Sequence, residues 1–488
     1  MLSAESFWTS SLHAAPQGES ITRILAAAIR AVEPGAAVRR ALSLSKGRSV
    51  RRDGDILTVS GRAYDLQSFR RVALLGVGKA SVAMSEALAE LLGPRLDAGM
   101  IVTKHIPARP TVNRRAQSER TLKRPASSPE GASALSPEIH VRADRIEIIA
   151  GGHPVPDARS LEAGQKAIEL VSSLGPDDLL FCLISGGGSA LVTARLDGIS
   201  LGDMQSLTSA LLACGARIDE INILRRRLER VKGGGVVRLT NGATIVSLIL
   251  SDVVGSPLEA IASGPTAPDP ATRREALAVV EKYGLRGKVP APILVALEQA
   301  PETPKPGDPI FEKVQNVIVG SNLLAAQAAL TQAELEGFHP YLLRADLQGE
   351  ARQAAFELAT FLRQAHRTGH PLPAPACIVA GGETTVTLRG KGKGGRNTEL
   401  ALAAVSELAD FPGVMLVTLA TDGEDGPTEA AGAVVTGETF RRAVGLGLHP
   451  GDFLDRNDSY SFFAALDDLL KPGSTGTNVN DLVFLFAL

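Results

Sequence analysis

The chain of 488 residues has little cysteine, few aromatic side chains and almost no net charge. Its three cysteines, Cys182, Cys214 and Cys377, form no CxxC pair, which excludes a thiolate zinc site and a disulfide framework. They read as buried, reduced thiols of a cytoplasmic protein. Aromatic residues make up 4%, too few for a surface that stacks nucleic-acid bases. A net charge of −2 gives no steering toward nucleic acid or an anionic membrane. No window approaches the ~20 uninterrupted apolar residues of a membrane span. The first twenty residues carry neither a basic region nor a long apolar one, so a secretory signal is not expected.

Glycine is plentiful, at 49 residues, alongside 44% hydrophobic and 21% charged residues. Such a chain can bury a full core and grip small anions through its backbone. Apolar residues at helical spacing predict a helix over residues 19–34, ended by Pro34 and Gly35. Short apolar runs predict strands at residues 72–77, 179–184, 244–250, 317–319, 378–380 and 414–419. Helices are predicted between them, and continuous apolar runs alternating with helices imply a mostly parallel, buried sheet. The expected fold is α/β: a large Rossmann-like three-layer lobe over residues 1–300 and a smaller α/β lobe over residues 301–488. The Pro-rich, charged stretch 268–307 is the expected passage between them. Two basic stretches, 42–53 and about 108–137, lack any period and are expected to be insertions in surface loops.

Glycine-rich or polar residues follow several of the predicted strands, where open α/β sheets bind ligands. Gly76-Val77-Gly78-Lys79-Ala80 offers close backbone approach, a helix N-terminus and a mobile cation. It is neither a Walker A loop nor a dinucleotide fingerprint, since Ser81 stands where a third glycine is required. Ser185-Gly186-Gly187-Gly188-Ser189 can form a nest of amides around a phosphate or a carboxylate. Asp252 can bind magnesium, a hydroxyl or the lysine, or serve as a turn residue. In residues 390–397 three cations alternate with glycines: Lys391, Lys393 and Arg396, followed by Asn397. That is the densest anion-binding signal in the chain. Asp422 and Asp425 lie in an acidic turn, residues 421–426, that can take magnesium or form Asx bonds. His153, in a proline-stiffened loop, reads as structural before it reads as a base.

Together these segments resemble the glycerate 2-kinase family that carries a C-terminal MOFRL domain, long labelled hydroxypyruvate reductase. The resemblance is carried by GVGKA at 76–80, GGHPVPDARS at 151–160, LISGGGSALV at 183–192 and SDVVGSPLEAIASGPTAPDP at 251–270. It continues through GSN at 320–322, AGGETTVTLRGKGKGGRNTELALA at 380–403, TDGEDGPTEAAGAVV at 421–435 and STGTNVNDL at 474–482. It implies a cleft between two lobes, with Lys79 and Arg396 as the catalytic pair; Asp252 is the candidate for metal contact or for orienting the 2-hydroxyl. It implies Mg²⁺ and ATP as cofactors, D-glycerate as substrate and 2-phosphoglycerate as product. A monomer or homodimer is expected.

The chain departs from the family pattern at Ser256, usually aspartate, at Glu229, where serine is usual, and at Thr398, usually glutamine. A hydroxypyruvate reductase is the first rival; it needs a dinucleotide site that neither glycine loop supplies cleanly. A non-catalytic sugar-acid binding protein is the second; retention of Lys79 and Arg396 speaks against it.

Overall fold

A computed structural model describes residues 2–49, 52–106, 145–153 and 155–488. The basic stretch at about 108–137 lies outside the described residues.

Two six-stranded sheets organise the chain. The first is built from β4 (Arg71–Val77), β5 (Ala98–Thr103), β6 (Ile146–Ala150), β7 (Asp178–Ile184), β8 (Thr244–Leu250) and β9 (Val314–Gly320), in the order β6-β5-β4-β7-β8-β9. Every pairing in it is parallel. Alternate residues explain why these strands read as unbroken apolar runs. Leu74, Phe181 and Leu248 pack on one face, while Leu75, Cys182 and Ile249 pack on the other. Helix Ser81–Leu92 covers the first face and helix Ala158–Ser172 the second. This is the expected Rossmann-like three-layer arrangement.

The second sheet contains β10 (His339–Leu347), β11 (Ala376–Gly382), β12 (Val414–Ala420), β13 (Gly432–Thr436), β14 (Leu469–Leu470) and β15 (Asp481–Ala487), in the order β10-β11-β15-β12-β13-β14. Only β10 and β11 pair in parallel; the other ladders run antiparallel.

Several boundaries differ from the sequence reading. The stretch 42–53 is not an irregular loop. It supplies β1 (Leu42–Ser49) and the start of β2 (Arg52–Val59), which with β3 (Arg62–Asp65) form a three-stranded antiparallel sheet. Its ladder holds it in place of an apolar period. Residues 268–307 are not the passage between lobes. Their helices Arg273–Lys282 and Ala291–Gln299 bury Ala276, Val280, Ile293 and Leu297 against Leu224 and Leu228 of the first lobe. The chain leaves the first sheet only at Gly320.

The N-terminus, expected in the first lobe, packs on the second. Helix Gly18–Ala31 lies against helix Asn322–Leu335, and Arg23 pairs with Glu336 at 2.7 Å. Ser11 hydrogen-bonds the buried Asp468 through both its amide and its hydroxyl. Pro34 does not simply end the helix before it. It is the first residue of a new helix, Pro34–Ala41, which packs on Ser81–Leu92 of the first lobe. The chain therefore crosses between lobes twice, at Val32–Glu33 and at Gly320–Ser321.

No helix among the described residues is long and apolar enough to cross a membrane. All three cysteines are free.

Candidate active site

A cavity of about 380 Å³ opens at the C-terminal ends of β4, β5, β7 and β8. Lys79, Thr103, Lys104, Ser185, Gly186 and Asp252 line its first wall, with His105 at the rim. Asp422 and Glu424, beyond β12, and Ser474, Gly476, Thr477 and Asn478, ahead of β15, line the second. Both lobes thus contribute, and the strand ends of the parallel sheet meet the loops of the mixed one.

The turn after β4 and the loop after β7 are stitched together. Lys79 N donates to Gly186 O at 3.0 Å, and Ala80 N to Ser185 Oγ at 3.0 Å. Gly78 N donates to Val102 O. The turn amides expected to be open to an anion are therefore consumed by the fold. Gly76 packs against Ser85 and Ile101, and a Cβ there would sit 3.0 Å from Ser85 Oγ. Gly78, at φ +127°, can carry no side chain, because a Cβ would lie 2.3 Å from Ser185 Oγ. What this turn leaves for a ligand is Lys79 itself. Its ammonium makes no hydrogen bond or ion pair among the described residues.

The SGGGS loop leaves backbone donors open. The amides of Gly186, Gly187, Gly188 and Ser189 donate to no partner among the described residues. Gly187 takes φ +84° at the start of the short helix Gly188–Leu191. His153 leans on this loop: a Cβ at Gly187 would sit 3.1 Å from its Cδ2 and 3.5 Å from Lys79 Cγ. Burial, with Lys79 and Lys104 close by, holds His153 below the ordinary histidine range.

Asp252 sits directly on Gly186, where the missing side chain leaves room for its carboxylate. Burial pushes Asp252 above the usual carboxylate range, opposed by Lys79 and reinforced by Glu383. Asp422 is raised by burial too, and feels the attraction of both Arg396 and Lys79. The proposed cationic pair, drawn from different lobes, thus acts on one carboxylate.

Arg396 begins helix Arg396–Glu407 and does not line the cavity. Its Nη1 donates to Glu383 at 2.7 Å, and its Nε donates to Asp481 Oδ2 at 2.5 Å. Asp481 is buried, and burial lifts it to about 6 despite that pairing.

The rest of the glycine-lysine loop is turned from the cleft. Gly390 N donates to Asn457 Oδ1 and Lys393 N to Asp458 Oδ1, so the backbone grips the segment 456–459. Lys393 lies over the Tyr460 ring, 3.9 Å from its centroid, and pairs with Glu429. Lys391 is exposed, and neither lysine lines the cleft. Asn397 is buried against Asp425, to which it donates its amide at 2.9 Å.

Asp425 is a helix cap and not a metal ligand. Its carboxylate accepts from Asn397 N, Thr398 N and Thr398 Oγ1, at the positive end of that helix. The carboxylates that remain for a cation are Asp252, Asp422 and Glu424, each facing the cavity. No group of three His, Cys, Asp or Glu side chains is preformed for a metal among the described residues. Magnesium is held elsewhere by one or two carboxylates together with substrate phosphates, which this partial set suits.

Sequence reasoning missed Thr103, Lys104, Glu383, Asp481 and residues 474–478. Glu383, Asp481 and residues 474–478 fall inside segments that carry the family resemblance, but only the second sheet's topology brings them to Arg396 and the cleft.

Comparison with known proteins finds relatives over most of the chain. Residues 20–298 match a domain of unknown function, DUF4147, and residues 376–481 match the MOFRL family. A D-glycerate 2-kinase of Thermotoga maritima is 38% identical, covering 85% of this chain and 90% of its own length. A human glycerate kinase is 37% identical, over 96% and 92%. The crystal structure of a Thermotoga maritima glycerate kinase superposes with a TM-score of 0.78 at 36% identity, covering 96% of this chain and 98% of that one.

Proposed function

The chain belongs to the glycerate kinase family with a C-terminal MOFRL domain, and we propose that it transfers the γ-phosphoryl group of ATP to the 2-hydroxyl of D-glycerate, giving 2-phosphoglycerate and ADP. The observation that carries the reading is the two-walled cavity, in which an unpaired Lys79 faces Asp252 and Asp422 with Arg396 behind them. An NAD(P)H-dependent reductase finds less support, because the glycine turn after β4 spends its amides internally and lacks the third glycine.

Phosphoryl transfer asks the protein for alignment and charge neutralisation. Lys79 supplies a mobile positive charge to the transferring group. Arg396 retains N–H groups beyond those given to Glu383 and Asp481, and these complete the neutralisation from the second lobe. Asp252, desolvated and without a donor from a neighbouring side chain, accepts a hydrogen bond from the attacking hydroxyl and orients it. The free amides at Gly186–Ser189 hold substrate oxygens. Asp252, Asp422 and Glu424 would hold Mg²⁺, which would supply positive charge to offset that of the phosphates. The compartment is the cytoplasm, in keeping with the free thiols.

Incubation with Mg-ATP and D-glycerate, followed by phosphorus NMR, tests the assignment. A 2-phosphoglycerate resonance is expected. 3-Phosphoglycerate alone would overturn the regiochemistry, and no phosphorylated product at all would overturn the kinase.

A further inference from the structure

Behind the SGGGS loop lies a second polar cluster that the mechanism above does not use. Lys232 is buried; its Nζ donates to Ser189 O at 2.7 Å and pairs with the buried Glu229. Glu229 also accepts from Ala194 N at 3.1 Å. Ser189 Oγ lies 2.8 Å from Ser263 Oγ, which in turn reaches Asn222 on helix Ile218–Leu228. Ser263, at φ +60°, follows Ala262 at φ +50°. Two consecutive non-glycine residues in the left-handed region are costly, and here they aim a hydroxyl at the loop.

Arg225 stands one helical turn beyond Asn222, on the same face. It is close enough to Lys232 to oppose that ammonium's charge, and Glu229 attracts it. Yet it donates no hydrogen bond and makes no ion pair among the described residues. Its two neighbours in sequence behave differently. Arg226 pairs with Asp269 and Arg227 with Glu302. Arg225 is half-buried and its N–H groups are not sealed from solvent, so they remain free for a ligand to take. Burial pulls Arg225 below the ordinary arginine range.

We propose that Arg225 is the carboxylate-recognition residue of the acceptor site, taking the carboxylate of a small 2-hydroxy acid beside Ser189. The proposal rests on the glycerate kinase reading and deepens it. The charge count favours a carboxylate over a polyphosphate. Lys232 is neutralised by Glu229, which leaves one unpaired positive charge for one negative charge. The nucleotide's several charges belong on the other side of the loop, beside Lys79. A planar guanidinium also matches a carboxylate in a bidentate pair. The SGGGS loop then separates the two substrates, with the acid end of the acceptor on one side and the phosphates on the other.

Arg225→Gln and Arg225→Lys test this by kinetics and thermal melting. Loss of a charge-assisted pair should raise the KM for D-glycerate by ~10–100-fold in Arg225→Gln while the KM for ATP stays within about twofold. Arg225→Lys should recover part of the loss. D-Glyceramide, the neutral isostere, should bind wild type far more weakly than glycerate does, and Arg225→Gln should lose that discrimination. The melting temperature of ligand-free Arg225→Gln should equal or exceed that of wild type, because no internal partner is orphaned. A lowered melting temperature, an unchanged KM for glycerate or an equal rise in both KM values would each overturn the proposal. If wild type phosphorylates no glycerate, the kinase reading fails. If wild type does so while Arg225→Gln keeps its KM for glycerate, only this inference fails.

Discussion

The Asp252 carboxylate fills the space above Gly186: a Cβ built on that glycine would lie 2.0 Å from Asp252 Oδ2. The glycine is therefore required by the acid and not by its own backbone angles. Gly186→Ala should displace Asp252 and lower kcat at least tenfold. Gly175→Ala, where a Cβ meets nothing within 4 Å, is the matched control and should leave kcat unchanged. Equal activity in the two variants would remove Asp252 from the chemistry.

Lys79 and Lys104 are the cations of the cavity's first wall that make no hydrogen bond or ion pair among the described residues, and Lys79 stands on the glycine turn after β4. Lys79→Ala should reduce kcat by about 10²–10³, the cost of losing one preorganised charge-stabilising donor. An effect confined to KM would make Lys79 a binding residue and refute its role in the transition state.

What the sequence made legible was strand ends. Lys79, Ser185–Ser189 and Asp252 each follow an unbroken apolar run, and buried parallel strands deliver their C-terminal residues to one edge. Register and side-chain direction were not legible. Lys391, Lys393 and Arg396 share one anion-binding signal in the sequence, and only the helix start and the family resemblance set Arg396 apart. The contacts of the loop with residues 456–459 send Lys393 to Glu429, while Arg396 is held behind the cavity wall by Glu383 and Asp481. Asp422 and Asp425 looked like a pair for the same reason, yet the helix start at Arg396 consumes Asp425 entirely. Composition misled in the opposite direction at residues 42–53, where a ladder of backbone hydrogen bonds stands in for apolar periodicity.

Asp481 provides a pH-dependent test of the Arg396 site. Its folded-state value of about 6 is raised above the ordinary 3.8, so its protonated form favours the folded protein. That contribution is fully present below about 3.8 and is lost as pH rises through 6. Wild type should therefore gain stability relative to Asp481→Asn as pH falls from 7 to 4, on the order of 3 kcal/mol in total. Melting curves of both proteins across that range measure it. A difference that does not vary with pH would show that Asp481 does not titrate there.

The two lobes should close on their ligands, about an axis that the chain crossings define. Val32 and Gly320 lie side by side, since a Cβ on Gly320 would be 3.7 Å from Val32 Cβ. Each crossing grips the cleft wall of the second lobe. Thr477 Oγ1 donates to Val32 O at 2.6 Å, and Asn322 Nδ2 donates to Val479 O and Asp481 O at 3.0 and 2.8 Å. Rotation at these peptides would carry residues 474–478 and Arg396 toward Lys79 as one body, excluding water that would otherwise hydrolyse ATP. Glycerate with a non-hydrolysable ATP analogue should reduce the radius of gyration in small-angle scattering, and neither ligand alone should do so fully. Thr477→Val removes one hydrogen bond, worth about 1 kcal/mol, between hinge and wall. It should lower kcat several-fold and diminish the contraction without weakening nucleotide binding comparably. Arg396→Ala should likewise lower kcat more than it weakens nucleotide binding, because its contact with the phosphoryl group forms on closure. An Arg396→Ala enzyme with near-normal kcat and much weaker nucleotide binding would make Arg396 a nucleotide clamp. A radius of gyration unmoved by both ligands together would mean that Lys79 and Arg396 act from lobes already in place.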